Sequence, residues 1–391
     1  MAEAPDLNSQ AVSQPSESSR KWNFHLLRVG GIDITINYSW LIIFALVAVS
    51  LSVGYFPRYF PGYDYKIYWL TGLVATLLFF ASIIIHELSH SLTAVRLGIK
   101  IPEITLFLFG GVAHLSEEPA DPKSELKIAV AGPIASFVLA ALFWIIAKLI
   151  QGTANELIVA VFDYLAWINI ILGAFNLVPG YPLDGGRIFR ALVWWRTGSV
   201  TIATKWASDI GKGFAWALMI LGIFQIFAGN LIGGLWLILI GMFLKGIATA
   251  GYQETVMRQF LDHVRVNQVM VEDLVKVAPD LPVSEVIDDF FLKYGYGGFP
   301  VVQNGTPVGL INLANVKDIP REERYTKKVG DVMMPLESNI SISPSETLTD
   351  ALQKMTRLGV GRLLIMEDNV LKGIITKSGL MRYLELKKAL Q

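Results

Sequence analysis

The chain contains no cysteine among its 391 residues. Disulfide scaffolds and cysteine-ligated zinc are therefore excluded, and any bound metal must sit on His, Asp or Glu. It also carries no net charge, with 33 basic and 33 acidic side chains. That balance argues against a nucleic-acid partner, because phosphate binding needs a concentrated basic face. Histidine is scarce, at five residues. Residues 1–21 lack the basic, apolar, small-residue order of a signal peptide. They are polar and rich in Ser, Gln, Pro and Ala, which predicts a disordered tail.

What is abundant is apolar surface. Hydrophobic residues make up 53% of the chain, and mean hydropathy is +0.49, too high for an ordinary soluble enzyme. About 20 apolar residues cross the roughly 30 Å of bilayer hydrocarbon. Ile34 to Phe56, Ile67 to Ile85, the run between Lys127 and Lys148, and Leu157 to Leu177 all meet that length. Gly213 to Leu244 is uncharged and too long for one span. Ala228-Gly229-Asn230 interrupts it, predicting a hairpin of two short helices.

Six spans place both termini on one side. Arg20, Lys21 and Arg28 precede the first span. Arg96, Lys100, Lys123 and Lys127 follow the second, and Arg187, Arg190, Arg196, Lys205 and Lys212 follow the fourth. The other side holds only Arg58, Lys66 and Lys148. The positive-inside rule makes the rich side cytosolic, and with it both termini of a multi-pass protein of the cell membrane.

After about residue 260 the pattern becomes that of a soluble α/β module, repeating at a separation of about 63 residues. Val266-Asn267-Gln268-Val269-Met270 matches Val329-Gly330-Asp331-Val332-Met333. Gly298-Phe299-Pro300-Val301-Val302 matches Gly361-Arg362-Leu363-Leu364-Ile365, and Gly309-Leu310-Ile311 matches Gly373-Ile374-Ile375. This layout resembles a tandem pair of CBS motifs over residues 262–391.

The densest chemistry is His86-Glu87-Leu88-Ser89-His90, an H-E-x-x-H motif. Spacing of i and i+4 on a helix returns both imidazoles to nearly one face, where they can reach one zinc ion. Zinc lowers the pKa of a bound water from near 16 to roughly 7, and the Glu87 carboxylate beside it can take the proton. The second span runs straight into these residues, and ionisable groups at that depth are costly unless they face a cavity with partners. Two His still need a third protein ligand. His25 and His263 lie in polar flanks and read as surface residues. Asp184 follows an apolar span in a stretch dense in helix breakers, Val178-Pro179-Gly180-Tyr181-Pro182-Leu183-Asp184-Gly185-Gly186. Irregular backbone at membrane depth must be buried in protein or line a cavity, but local signals alone leave a solvated Asp in a plain turn as an equal alternative.

Taken together, His86 to His90, the Phe109-Gly110-Gly111-Val112-Ala113 stretch, and Asn176 with Pro179 and Leu183-Asp184-Gly185-Gly186-Arg187 resemble the site-2 proteases. These are intramembrane zinc metalloproteases, and the likeness is to the branch with C-terminal CBS domains. It runs through about residues 22–250. The resemblance implies that Asp184 is the third ligand of one Zn2+ per chain. It also implies that Asn176 lies beside the metal, where an amide can orient substrate or stabilise an oxyanion; a helix-end asparagine is the alternative. Single-span membrane proteins are the implied substrates.

The expected fold class is thus a polytopic α-helical membrane protein of about six transmembrane helices, with a re-entrant β segment, plus a C-terminal α/β tandem CBS domain pair. The expected divisions are a tail over 1–21, a transmembrane metalloprotease domain over 22–252, a linker over 253–261, and a CBS pair over 262–391. Its repeats run over about 262–324 and 325–391. Segment 101–116 is apolar, β-rich and broken at Gly110-Gly111, as a re-entrant hairpin would be, and a substrate held as an added strand would be extended for cleavage. His114 within it reads as a strand residue near the site and not as a ligand.

CBS pairs often bind adenosine nucleotides through a Thr or Ser followed three residues later by an Asp. Here those positions are Asn312 and Asn315 in one repeat and Thr376 and Gly379 in the other. The Asp is absent from both, so adenine nucleotide is expected to bind weakly or not at all, and a structural or homodimerising module is an equal reading. A CBS-regulated channel or transporter is the rival class, but no repeat within the membrane region supports it.

Overall fold

The computed structural model describes residues 23–107, 110–114 and 119–390. The tail expected to be disordered, and Phe109 of the glycine-bearing stretch, lie outside the described residues. The chain divides into two compact units between Val256 and Met257.

The first unit opens with a hairpin that differs from expectation. Ile34 to Asn37 do not begin the first span. They belong to strand β2 (Ile32–Asn37), which pairs antiparallel with β1 (Asn23–Val29). The reason is visible in Ile32-Asp33-Ile34-Thr35-Ile36-Asn37, a strict alternation rich in β-branched residues, which is a strand period and not a helix period. Gly30 and Gly31 form the two-residue turn, both with positive φ, as a tight hairpin turn requires. The first span, α1 (Tyr38–Tyr59), then starts where Asn37 accepts a hydrogen bond from the Ser39 N–H at 3.0 Å.

Helix α2 (Tyr65–Arg96) follows. Next come β3 (Glu103–Phe107) and β4 (Gly110–His114), an antiparallel hairpin in the segment expected to hold one. β3 also pairs in parallel with β2, so the four strands form one sheet in the order β1-β2-β3-β4. On one face of this sheet Ile32, Ile34, Ile104 and Leu106 are buried. Helices α3 (Pro122–Ile150) and α4 (Glu156–Asn176) are the next two spans, and α5 (Asp184–Thr197) is too short to be one.

The last apolar stretch is indeed a hairpin broken at residues 228–230, but its arms are long helices, α6 (Val200–Phe227) and α7 (Leu231–His263). Polar residues at their outer ends extend both helices past the uncharged window. The segment expected as a linker, 253–261, is helical throughout as the end of α7. Among the described residues six helices are long and apolar enough to cross a membrane.

The second unit carries two three-stranded sheets related by the sequence repeat. Gly298–Gln303 pairs antiparallel with Thr306–Asn312, and Arg362–Glu367 with Val370–Thr376. The leading segment of each repeat packs on the other repeat. Val266 is buried with Leu348, Leu363 and Ile375, while Val329 is buried with Val283, Phe299 and Ile311. Neither repeat closes its core alone.

Candidate active site

The site is built on three helices. His86 and His90 project from α2, one turn apart and both buried. Asp184 is the first residue of α5 and is buried as well. Its carboxylate Oδ2 lies 3.1 Å from Nε2 of His86 and 3.1 Å from Nε2 of His90, and the two Nε2 atoms are 3.3 Å apart. Among the described residues this is the group of His and carboxylate side chains whose donor atoms converge as metal ligands do.

Helix α3 holds both rings. The Nδ1–H of His90 donates to the Ile128 carbonyl at 2.6 Å, and Nδ1 of His86 lies 2.9 Å from the Ser136 hydroxyl. With its proton on Nδ1, His90 turns a lone pair on Nε2 toward Asp184. Carboxylate and imidazole lone pairs then meet at one point. Such a cluster of acceptors is repulsive unless a cation sits among them. Ligands about 2.0 to 2.2 Å from a tetrahedral zinc are separated by about 3.4 Å, close to the spacings here. Space is kept by Gly132 of α3, where a Cβ would fall 2.1 Å from Nε2 of His90 and 2.7 Å from Nε2 of His86. The donor set, its spacing and the cleared space fit zinc.

Asp184 reaches this point because the chain before it is threaded through glycine contacts. The Tyr181 N–H donates to the Ala207 carbonyl of α6 at 3.0 Å. A Cβ on Gly211 would lie 2.0 Å from the Tyr181 carbonyl oxygen, and one on Gly185 would lie 2.2 Å from that of Leu177. Backbone meets backbone at each of these points, so only glycine fits.

A cavity of about 670 Å³ opens on the cluster. Glu87 and Asn176 both line it, together with Leu106 and Phe107 at the end of β3. The five residues expected to carry the chemistry, His86, Glu87, His90, Asn176 and Asp184, are therefore gathered here, while for His114 the backbone position in β4 is described. His25 is exposed and bonded to Asp33 at 3.3 Å, and His263 is exposed at the end of α7. Sequence reasoning missed the α3 contribution of Ile128, Gly132 and Ser136, and a buried ion pair between Glu125 of α3 and Arg190 of α5. The signals present were Gly132-Pro133 inside a long apolar helix and a lone Glu in its first turn.

The chain is similar to known proteins over most of its length. The model of Peptidase family M50 matches residues 74–153 and 146–220, and that of the CBS domain matches 266–321 and 329–386. Rip3 of Mycobacterium tuberculosis is 34% identical over 93% of each chain. Zinc metalloprotease MJ0392 of Methanocaldococcus jannaschii is 31% identical over 95% of this chain and 99% of its own length. Among solved structures, the site-2 protease from Methanocaldococcus jannaschii is 31% identical, covering 59% of this chain and 94% of that one, with a TM-score of 0.42.

Proposed function

This chain belongs to Peptidase family M50 and is an intramembrane zinc metalloprotease with a C-terminal CBS pair, and we propose that His86, His90 and Asp184 hold its zinc while Glu87 is the general base. The observation that carries the assignment is the convergence of three buried donor atoms within 3.3 Å of one another at the wall of the cavity that Glu87 also lines. Zinc, when bound, supplies Lewis-acid polarisation of the scissile carbonyl and activation of water. Glu87 receives the proton of the attacking water on a carboxylate oxygen and passes it to the leaving amine. Asn176, at the end of α4, offers its side-chain N–H to the carbonyl oxygen as negative charge develops there. The apolar walls, including Leu106 and Phe107, limit water to the reacting centre.

The substrates we assign are single-span membrane proteins. A transmembrane helix must unwind before a peptide bond can be cut, since its backbone groups are satisfied internally. β4 ends the strand order of the four-stranded sheet, and the β3 side chains Leu106 and Phe107 line the cavity. An unwound segment added to β4 would be held extended there. Positive charge after the second and fourth spans puts the termini, the CBS pair and the ligand-bearing helix ends on the cytosolic side, and cleavage in the cytosolic half of the substrate. In the CBS pair, Asn312 and Asn315 cap each other's backbone at 3.0 Å, and Thr376 accepts from the Gly379 N–H at 3.0 Å. Side chains so used favour a structural or dimerising module over a nucleotide sensor. The test of the active-site assignment is Glu87→Gln, which should retain zinc and lose cleavage of a single-span substrate; wild-type turnover would refute it.

A further inference from the structure

We propose that Glu125 and Arg190 are positioning residues that set the reach of Asp184 to the metal. Arg190 of α5 is buried, and Glu125 of α3 is fully so. The Nε–H of Arg190 donates to Oε1 of Glu125 at 2.6 Å, and a second guanidinium nitrogen contacts the same oxygen.

The placement of this pair carries the argument. Glu125, Ile128, Gly132 and Ser136 follow one another on α3 at steps of three and four, so they form one stripe along one face. Ile128 holds His90, Ser136 holds His86, and Gly132 leaves room for both rings. The fourth member, Glu125, holds the helix that begins with Asp184. One face of α3 thus fixes both sides of the ligand set, the histidines directly and the carboxylate through Arg190. The guanidinium carbon of Arg190 also lies 5.8 Å from the centroid of the Tyr181 ring, in the loop that leads to Asp184. The same side chain touches α3, α5 and that loop.

Stability alone accounts poorly for the pair. Desolvation of two buried charges commonly offsets their attraction, so that apolar residues of similar volume do as well or better. Oε2 of Glu125 has no hydrogen-bond partner among the described residues. What a directional, charge-assisted bond adds over apolar packing is a fixed register between α3 and α5. Asp184 needs that register, because among the described residues its side-chain bonds are to the two histidines.

The inference rests on Asp184 being a ligand, and its test separates the two claims. Full-length protein in detergent is loaded with zinc, and release to a chromogenic chelator is timed beside the melting of the metal-free form. Glu125→Leu/Arg190→Met should melt close to the wild type yet release zinc faster by about tenfold, as loss of an outer partner of a metal ligand does. Arg190→Lys, which keeps the charge and loses the planar fork, should fall between. In an Asp184→Ala background, which itself speeds release, neither change should add anything. Wild-type release from the folded double variant overturns the proposal, and so does equal acceleration with Asp184 absent. If the double variant does not fold, Arg190→Lys decides, and unchanged release sinks the idea. Wild-type release from Asp184→Ala alone removes the ligand assignment and this inference with it.

Discussion

Gly132 and His90 are in a relationship that admits no other side chain at position 132, since a Cβ there would lie 2.1 Å from the imidazole Nε2. That nitrogen is the atom turned toward Asp184. Gly132→Ala should therefore displace the ring and empty the site while six apolar spans still assemble. Metal analysis of the purified variant should show far less than one zinc per chain. Full zinc content would mean that α3 can withdraw and that the close fit is not required.

Replacing Glu87 by Gln keeps the shape of the side chain and removes its ability to take a proton. General-base catalysis is worth about 10² to 10⁴ in rate, and cleavage in detergent should fall by at least that much. Zinc content should stay at the wild-type level. Loss of metal from this variant would place Glu87 among the ligands instead.

Asp184→Ala should behave in the opposite way, lowering zinc content and activity together. Two imidazoles on one helix are too few for a protease site, which uses three protein ligands and an open position. Metal stoichiometry measured by mass spectrometry on the purified variant checks this, and an unaltered ratio would send the search for a third ligand to His114.

The Ser136 hydroxyl lies 2.9 Å from Nδ1 of His86. Ser136→Ala leaves packing nearly unchanged and removes a partner that orients the ring. Zinc affinity should fall by about 10- to 100-fold, the usual cost of such a change, with little loss of thermal stability. Competition against a chelator of known affinity gives the number.

The CBS pair is expected to bind adenine nucleotides weakly or not at all. Titration calorimetry of the full-length protein with ATP, ADP and AMP is the measurement, with micromolar binding as the contrary result. It would show that Asn312 and Asn315 can leave their mutual cap to meet a ribose.

Much of this protein was legible in one dimension because its signals are local. Length and apolarity alone mark a span, since the bilayer is thick and penalises any unpaired polar group. The i, i+4 spacing of His86 and His90 needs only the pitch of a helix. The tandem repeat after residue 260 declares itself by self-similarity. The boundary at residues 34–37 was equally local, but a strand period hid inside a run apolar enough to pass as membrane.

Other features were settled by the tertiary structure, because they join residues far apart in the chain. Asp184 stands ninety-four positions from His90, and the residues around it describe a turn as well as a ligand. Its approach depends on backbone packed against backbone at Gly180, Gly185 and Gly211. The role of α3 was hard to read in the sequence for the same reason. A carbonyl at Ile128 and an empty space at Gly132 have no side-chain signature, and a hydroxyl at Ser136 gains meaning only when His86 is placed against it. Sequence alone determined which groups could do the chemistry, because reactivity resides in side chains. Whether three of them meet within hydrogen-bonding distance depended on how the helices pack, and packing is a property of the whole fold.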